Sequence, residues 1–184
     1  MKKVLLLLII SFIAMGGNAK EKIKIDKMKD GYRIIQTERT PHIFLYAATM
    51  TDAAISLDLW KLNDLENYSI CTYIFTDVNI DEGASLLLKL DNNDIIELKA
   101  QSKSETIKNW VFTVLQTITF TNYAVTEEQI KQIIEHKVLK VRVETSIDHF
   151  DGKVYGNKFS KTIANDYKLI KKALEKEISV YDNF

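Results

Sequence analysis

Alternation of apolar and polar residues is the main pattern between residues 30 and 102 of this chain. Side chains on one face of a β-strand recur at every second position, so this pattern is typical of strands with one buried face. Three runs show it clearly, beginning at Ile43, Ile55 and Ile70. Turn-forming residues separate the runs, and their spacing favours an antiparallel meander or a Greek key.

The clearest local prediction is a β-hairpin over residues 86–99. Two alternating runs flank Asn92 and Asn93, and asparagine tolerates the positive φ angles of a tight two-residue turn. A longer alternating segment, residues 109–121, predicts one long strand. Because Gln116 interrupts its apolar face, we expect a bulge or bend near that residue.

Helical spacing replaces the alternation twice in the C-terminal part of the chain. A capping box over Thr126–Gln129, followed by an apolar stripe, predicts a short helix near residues 127–136. Apolar residues three or four positions apart predict a second helix near residues 161–178, with Ser160 as its N-cap. A further half-buried strand is predicted between the helices, over residues 139–145.

About eight strands and two helices indicate a mainly β fold. We expect an antiparallel two-sheet β-sandwich, because sheets of this size must cover an apolar face, and a β-barrel is the alternative. The 184 residues include one proline and six glycines, which suits one packed domain rather than a flexible chain. Cys71 is the only cysteine, so the fold depends on packing without an internal disulfide bond.

The N-terminus has the layout of a cleavable secretory signal peptide. Two lysines precede an apolar run of 12 residues, Val4–Met15, and small residues follow up to Ala19. The run is too short to span a bilayer, which takes about 20 apolar residues. We therefore expect residues 1–19 to be removed and residues 20–184 to form one exported domain. Its predicted location is the periplasm or the extracellular space, with no membrane span in the mature chain.

The net charge of the chain indicates which class of partner it can attract. The chain has 25 basic and 25 acidic side chains, so its formal net charge is zero. Because the two signs are interspersed, the chain as a whole offers no field that would attract nucleic acid, and we expect no nucleic-acid partner.

One segment of alternating oxygen donors resembles the start of a calcium-binding loop: Asp77, Asn79 and Asp81. It departs from the EF-hand pattern, because Gly83 comes one position late and Leu88 stands where a bidentate carboxylate is required. A solvated turn between strands explains the same residues. The sequence therefore suggests no cofactor other than calcium, and a polar turn is the simpler interpretation.

A second segment places an imidazole between carboxylates: Asp148, His149 and Asp151. A mononuclear metal site needs three or four ligands of suitable geometry, and only His42 and His136 offer further imidazoles. We interpret the segment as a polar turn with a weak metal-binding signal. The sequence also lacks a Gly-x-Ser-x-Gly motif, a glycine-rich phosphate loop and a Cys-x-x-Cys pair, so it predicts no catalytic residue.

Aromatic residues are the candidates for a binding surface. Trp60 shares a predicted strand face with Asp58, and Phe44 and Tyr46 share one with His42. Exposed rings stack on sugars or anchor a protein partner. If both faces of the sheet are covered, the same rings belong to the interior instead.

The chain resembles small secreted β-rich proteins of Bacteroidetes, a group of unassigned function. Three features carry this resemblance: the hairpin over residues 86–98, the segment Tyr123–Ile130, and the strand Lys140–Thr145 before a closing helix. The resemblance covers residues 80–175. It implies a β-sandwich in the periplasm or outside the cell, and it implies neither catalytic residues nor a substrate.

Three functions compete at this point. We expect an exported, non-enzymatic protein that binds or assembles with a protein or a glycan, because apolar patterning accounts for nearly every large residue. The alternative is a carrier of a small ligand, in which the mouth of a barrel admits an apolar or amphipathic molecule. A hydrolase is the third hypothesis, and no motif supports it.

Overall fold

The computed structural model describes residues 22–29, 32–40, 43–46, 54–62, 68–74, 78–111, 114–154 and 156–181. The predicted signal peptide, residues 1–19, lies outside these ranges. Eleven strands and two helices occur in the described part of the chain. They are β1 (Ile23–Lys29), β2 (Tyr32–Thr37), β3 (Ile43–Tyr46), β4 (Ala54–Leu62), β5 (Tyr68–Ile74), β6 (Ser85–Leu90), β7 (Ile95–Lys99), β8 (Glu105–Val111), β9 (Val114–Val125), α1 (Glu127–Glu135), β10 (Val138–Glu144), β11 (His149–Val154) and α2 (Lys158–Tyr181).

All strand pairs are antiparallel. Nine strands follow one path, in the order β7-β6-β10-β11-β3-β4-β5-β9-β8, and β2 branches from β4 and carries β1 at its other edge. The path divides into two sheets at β3. The first sheet contains β1, β2, β3, β4, β5, β9 and β8, and the second contains β7, β6, β10 and β11. A bridge between Ala100, which follows β7, and Tyr123 on β9 also connects the two sheets. One sheet is curled into a half-barrel. The predicted mainly β fold with two helices is confirmed, as an architecture of sandwich or barrel-like type.

The core lies between the sheets and the C-terminal helix. Buried apolar side chains from both sheets and both helices form one cluster. Its largest fully buried members are Tyr123, Phe159, Ile35, Leu59, Ile70, Ile74, Ile80, Leu86 and Leu88. Helix α2 adds Phe159, Ile163 and Ile170 to this cluster and contacts β2, β4 and α1. Each helix thus buries one apolar face, as its 3.6-residue spacing predicts.

The predicted capping box is present at the start of α1. The Thr126 hydroxyl accepts a hydrogen bond from the Gln129 amide at 3.1 Å, and the Gln129 side-chain oxygen accepts one from the Thr126 amide at 3.0 Å. The Gln129 side chain also donates to the carbonyl oxygen of Glu97 on β7, at 3.4 Å. The first turn of α1 therefore covers part of the outer edge of β7, which protects an otherwise unpaired strand edge.

The predicted hairpin is present as β6 and β7, but its turn is longer than predicted. The Leu90 amide donates to the Asp94 carbonyl oxygen at 2.9 Å, which leaves three residues in the turn instead of two. Asn93 has a φ of 73°, the left-handed conformation that a three-residue turn places at its last position. Asparagine fills this position because its short polar side chain tolerates a positive φ.

The predicted single strand over residues 109–121 is wrong. This segment belongs to two antiparallel strands, β8 and β9, whose register pairs Val111 with Val114. The two residues between these strands, Phe112 and Thr113, lie outside the described residues. Neither is a glycine, proline, asparagine or aspartate, so no turn signal interrupts the alternation at this point.

The predicted N-cap of the second helix is also wrong. Helix α2 begins at Lys158 rather than at residue 161, and Ser160 lies in its first turn. The Ser160 hydroxyl donates to the His136 carbonyl oxygen at 2.9 Å and accepts from the Val138 amide at 3.3 Å. It therefore connects α2 to the segment between α1 and β10 instead of capping its own helix.

The predicted polar turn at residues 148–152 belongs mainly to a strand. β11 begins at His149 and pairs with β10 along most of its length. The turn between the two strands comes earlier, where the Thr145 hydroxyl donates to the Asp148 carbonyl oxygen at 2.7 Å. The polar residues of this segment consequently lie on a sheet, where the register with β10 decides what they contact.

Candidate functional site

The outer face of the second sheet carries an open groove of about 400 Å³. Residues of β6, β7, β10 and β11 line it. They are Leu87, Lys89, Ile95, Lys140, Val141, Arg142, Asp151, Gly152 and Lys153. Residues between these positions, such as Leu88, Ile96 and Val143, belong to the core. Because neighbouring side chains of a strand point to opposite faces, the groove faces solvent.

Three lysines form a row across the strands in this groove, which we call the lysine row: Lys89, Lys140 and Lys153. Lys89 on β6 is the direct partner of Lys140 on β10, and Lys140 is the direct partner of Lys153 on β11. Neighbouring strands are about 4.8 Å apart, so the row spans roughly 10 Å of backbone. Like charges that face each other across strands destabilise a sheet. The row therefore costs stability unless a negative charge lies beside it.

One carboxylate that lines the same groove, Asp151, is already paired. Asp151 accepts two hydrogen bonds from the Arg142 guanidinium, at 2.6 and 2.7 Å. This pairing lowers the pKa of Asp151, and it raises the pKa of Arg142. Lys140 acts on Asp151 electrostatically, but among the described residues no ion pair is formed by any of the three lysines. Their positive charge is thus available to a ligand.

The other end of the same face is electrically compensated. The Ser85 hydroxyl donates to Glu97 and accepts from the Lys99 ammonium, both at 2.7 Å, and Lys99 lies 2.6 Å from Glu97. The hydrogen bond from Lys99 lowers the pKa of Glu97, and the backbone hydrogen bond from Ser85 lowers the pKa of Glu144. The uncompensated charge of this face is consequently concentrated at the lysine row.

Aliphatic side chains lie beside the lysines. Leu87 is half-buried on β6, and Ile95 at the start of β7 exposes 63% of its surface. Ile95 is the direct partner of Lys89, so it extends the lysine row by one position. The groove therefore combines a line of cations with apolar contact area, which fits an anionic ligand that also has apolar faces.

The first sheet carries a contrasting polar cluster, the Asp58 cluster, on the face opposite the core. Asp58 on β4 accepts hydrogen bonds from the Gln36 side-chain amide and the Tyr73 hydroxyl, each at 2.9 Å, and from the Trp60 indole. Asp58 and Gln36 are buried, with 0% and 2% of their surface exposed. Burial raises the pKa of Asp58, although the three hydrogen bonds act in the opposite direction.

Cys71 belongs to the same buried face. It is the direct cross-strand partner of Asp58, and burial together with the Asp58 charge raises the pKa of its thiol to about 12. A thiol in this state is a poor nucleophile near neutral pH. Burial raises the pKa of Tyr73 as well, and Phe120 stacks on its ring at 5.8 Å between centroids. The arrangement ties β2, β4, β5 and β9 together, which is a structural role.

Among the predicted aromatic binding residues, Trp60 has a described side chain, and it does not line the groove. Trp60 is half-buried in the Asp58 cluster and donates its indole hydrogen to Asp58. The side chains of Phe44 and Tyr46 lie outside the described residues. The backbone of Tyr46 is described, and it is the direct partner of Lys153, so β3 continues the cross-strand row that the lysines begin.

The candidate calcium loop lies beside the turn between β10 and β11. Asp77 is outside the described residues, and Asn79 and Asp81 are exposed. The Asn79 carbonyl oxygen accepts a hydrogen bond from the Ser146 amide at 2.9 Å. The fold therefore brings the two segments that carried metal signals close to each other.

In the second of these segments, the His149 ring lies close to two carboxylates. His149 lies 2.9 Å from the Asp148 carboxylate and 3.9 Å from that of Asp151. Within the ranges that the structure describes, no group of three or more His, Cys, Asp and Glu side chains is arranged to hold a metal ion. Calcium and other metal binding stay predictions.

Sequence reasoning missed the lysine row for a definite reason. The alternation correctly assigns Lys89 and Lys140 to solvent-facing positions of their strands. Their juxtaposition depends on the pairing of β6 with β10, whose residues are about fifty positions apart along the chain. No local pattern signals such a register, because it is fixed by long-range strand pairing.

No protein-family model, curated protein or solved structure matches this chain. In the part of the chain that the structure describes, neither helix is long and apolar enough to cross a membrane. The functional proposal therefore depends on the geometry and charge of the groove.

Proposed function

We propose that this protein acts by binding, without catalysis, and that the groove on the second sheet takes an anionic partner, either a protein or a glycan. The observation that carries the proposal is the lysine row. Three cations are held in cross-strand register without an ion pair among the described residues. An anion bound beside the row would reduce the repulsion between the lysines, so binding would also stabilise the sheet.

The expected affinity follows from the exposure of the site. Single exposed ion pairs contribute about 0.2–1 kcal/mol, so three lysines alone give weak attraction. Contact with the aliphatic surface of Leu87 and Ile95 adds about 25 cal/mol for each Å² of apolar area removed from water. We therefore expect affinity between about 1 mM and 1 μM, corresponding to −4.1 to −8.2 kcal/mol. Because exposed charges are screened by salt, affinity falls as ionic strength rises.

Two triple variants test the proposal. The groove variant combines Lys89→Gln, Lys140→Gln and Lys153→Gln. The control variant combines Lys161→Gln, Lys168→Gln and Lys172→Gln, which are exposed lysines of α2. Both variants lose three positive charges, and only the first changes the groove.

Binding of acidic glycans and acidic peptides is measured by isothermal titration calorimetry at low salt. We expect the groove variant to bind at least tenfold more weakly than the unmodified protein and the control variant to bind within twofold of it. Equal losses in the two variants would show a general charge effect and reject the groove as the site.

The proposal includes the predicted export of the mature chain, which would bring the groove into contact with partners in the periplasm or outside the cell. Mass spectrometry of secreted protein tests it through the N-terminus, which we expect at Lys20. The alternative of a small-ligand carrier stays a prediction. A lipid-like mass retained by the purified protein in native mass spectrometry would favour that alternative.

A further inference from the structure

The arginine of the groove is paired with an acid of its own chain. Arg142 follows Lys140 by two residues on the same face of β10, so it lies beside the lysine row. Asp151 is its direct partner on β11. We infer that Arg142 is a further anion-binding residue of the groove, and that the Asp151 carboxylate occupies the place that an oxyanion group of the ligand takes on binding. This inference rests on the proposed binding function, and it adds one residue that contacts the ligand and one that limits its affinity.

A planar guanidinium matches any group that presents two oxygens side by side. Carboxylates, phosphates and sulfates all do so, and such paired, charged hydrogen bonds are stronger than neutral ones. The Nε and Nη2 atoms of Arg142 donate to one oxygen each of Asp151, at 2.6 and 2.7 Å, which is the arrangement that a ligand group would adopt. Arg142 is the one arginine among the described residues that line the groove. A ligand on the lysine row therefore meets this pair of parallel donors already occupied.

The contact between Arg142 and Asp151 is open to solvent. The two side chains expose 44% and 55% of their surface. Backbone pairing along residues 140–144 and 149–153 already holds β10 and β11 in register. An exposed ion pair shifts an equilibrium by a factor of about 1.4 to 5. An oxyanion that enters the groove can thus displace Asp151 at a small cost in affinity.

A second pair in the chain has the same geometry in a different setting. Arg33 on β2 donates to both carboxylate oxygens of Asp26 on β1, at 2.7 and 2.8 Å. The Arg33 side chain is only 11% exposed, and it also donates to the carbonyl oxygen of Ala173 on α2, at 3.4 Å. This guanidinium joins the first sheet to the helix, which is a structural role. Asp26 is therefore the matched control for Asp151.

The experiment measures binding of tripolyphosphate and of hexaglutamate by isothermal titration calorimetry. An ionic strength of about 0.15 M limits the reach of exposed charges to about 8 Å. We expect Asp151→Asn to bind each probe about fivefold more tightly than the unmodified protein, because the competing carboxylate is gone. Asp26→Asn makes the same change of charge outside the groove and should leave both affinities unchanged. Circular dichroism checks that each variant is folded.

A further background separates the guanidinium from its charge. Arg142→Lys keeps the positive charge and loses the parallel donors, so Asp151→Asn should improve binding much less in that background. Equal gains in the two backgrounds, or an equal gain in Asp26→Asn, would overturn the inference, because the removed negative charge alone would explain them. Unchanged affinity in Asp151→Asn would also overturn it, and the proposed function would stand if the groove triple variant still lost binding. If that triple variant binds both probes as tightly as the unmodified protein, the proposed function fails together with the inference.

Discussion

The outer faces of the two sheets both carry carboxylates, which are buried on the first sheet and exposed on the second. On the first sheet, Asp58 is buried and its pKa is raised. On the second sheet, Asp151 and Glu97 are exposed, and the hydrogen bonds from Arg142 and Lys99 lower their pKa values. In each case a carboxylate stands at an outward position of a strand. A polar residue that points away from the core in the alternating pattern is therefore not always exposed to solvent.

Hydration explains the difference between the two faces. A buried carboxylate loses its water shell, and three neutral donors around Asp58 do not fully replace it. An exposed carboxylate keeps its water and gains a cation as well, so its ionised form is favoured. The buried face therefore specifies how the strands fit together, whereas the exposed face keeps charge available for binding.

The largest effect is expected at the centre of the buried face. Asp58→Ala removes the acceptor shared by Gln36, Tyr73 and Trp60, and a buried donor left without a partner costs about 1–3 kcal/mol. We expect the free energy of unfolding to fall by roughly 3 kcal/mol or more. Urea denaturation followed by circular dichroism measures it.

The control for this change is an exposed carboxylate in the turn between β10 and β11. Asp148→Ala removes a carboxylate whose side chain is 78% exposed, and exposed positions usually change stability by less than about 0.5 kcal/mol. Similar losses of unfolding free energy in Asp58→Ala and Asp148→Ala would show that the Asp58 cluster does not contribute more to stability than an exposed carboxylate.

The two faces should also respond to pH with opposite sign. Because the pKa of Asp58 is raised above 3.8, its proton stabilises the folded state fully below that value, and this contribution is lost as pH rises through the folded pKa. Asp58→Asn removes the dependence, so the stability deficit of this variant should shrink between pH 3 and pH 7. Linkage sets the size of the change, at about 1.4 kcal/mol for a tenfold difference in acidity between the folded and unfolded states.

Asp151→Asn is the matched control for the pH experiment. The pKa of Asp151 is lowered below 3.8, so its contribution is present above the unfolded value and is lost as pH falls. The deficit of this variant should therefore grow as pH rises. Denaturation curves at several pH values measure both trends, and deficits that change in the same direction would contradict the assignment of opposite shifts.

The smallest effect is expected within the lysine row. Lys140→Gln removes a charge that faces like charges on both sides, so we expect the protein to gain about 0.2–1 kcal/mol of stability while it loses affinity for anions. Lys99→Gln removes a lysine of the same sheet that is paired with Glu97 and should give no gain. Loss of stability in Lys140→Gln would show that the row is not repulsive.

Local interactions made several elements predictable. The capping box at Thr126 forms as expected, because its two hydrogen bonds join residues only three positions apart. The turn near Asn93 was also predictable, because the φ preference of asparagine is a property of the residue itself. The boundary between β8 and β9 was not, because alternation continues through it and only the pairing of Val111 with Val114 reveals a reversal.

The candidate site was predictable in part. Alternation assigns Lys89 and Lys140 to polar positions, but it assigns Asp58 to a polar position in the same way. Lys153 lies outside the strands that the sequence predicts. Whether a side chain at a polar position is exposed or buried depends on which strands become neighbours and on which sheet faces are covered.

The mainly β character, the two helices and the inward residues of several strands are predictable from the amino-acid sequence, because they follow from local geometry and side-chain hydrophobicity. Contacts between distant segments place three lysines side by side and bury Asp58, and no local pattern predicts either result. The physical reason is that register and coverage are set by contacts between strands far apart in the chain, where a shift of one residue would turn every side chain to the other face.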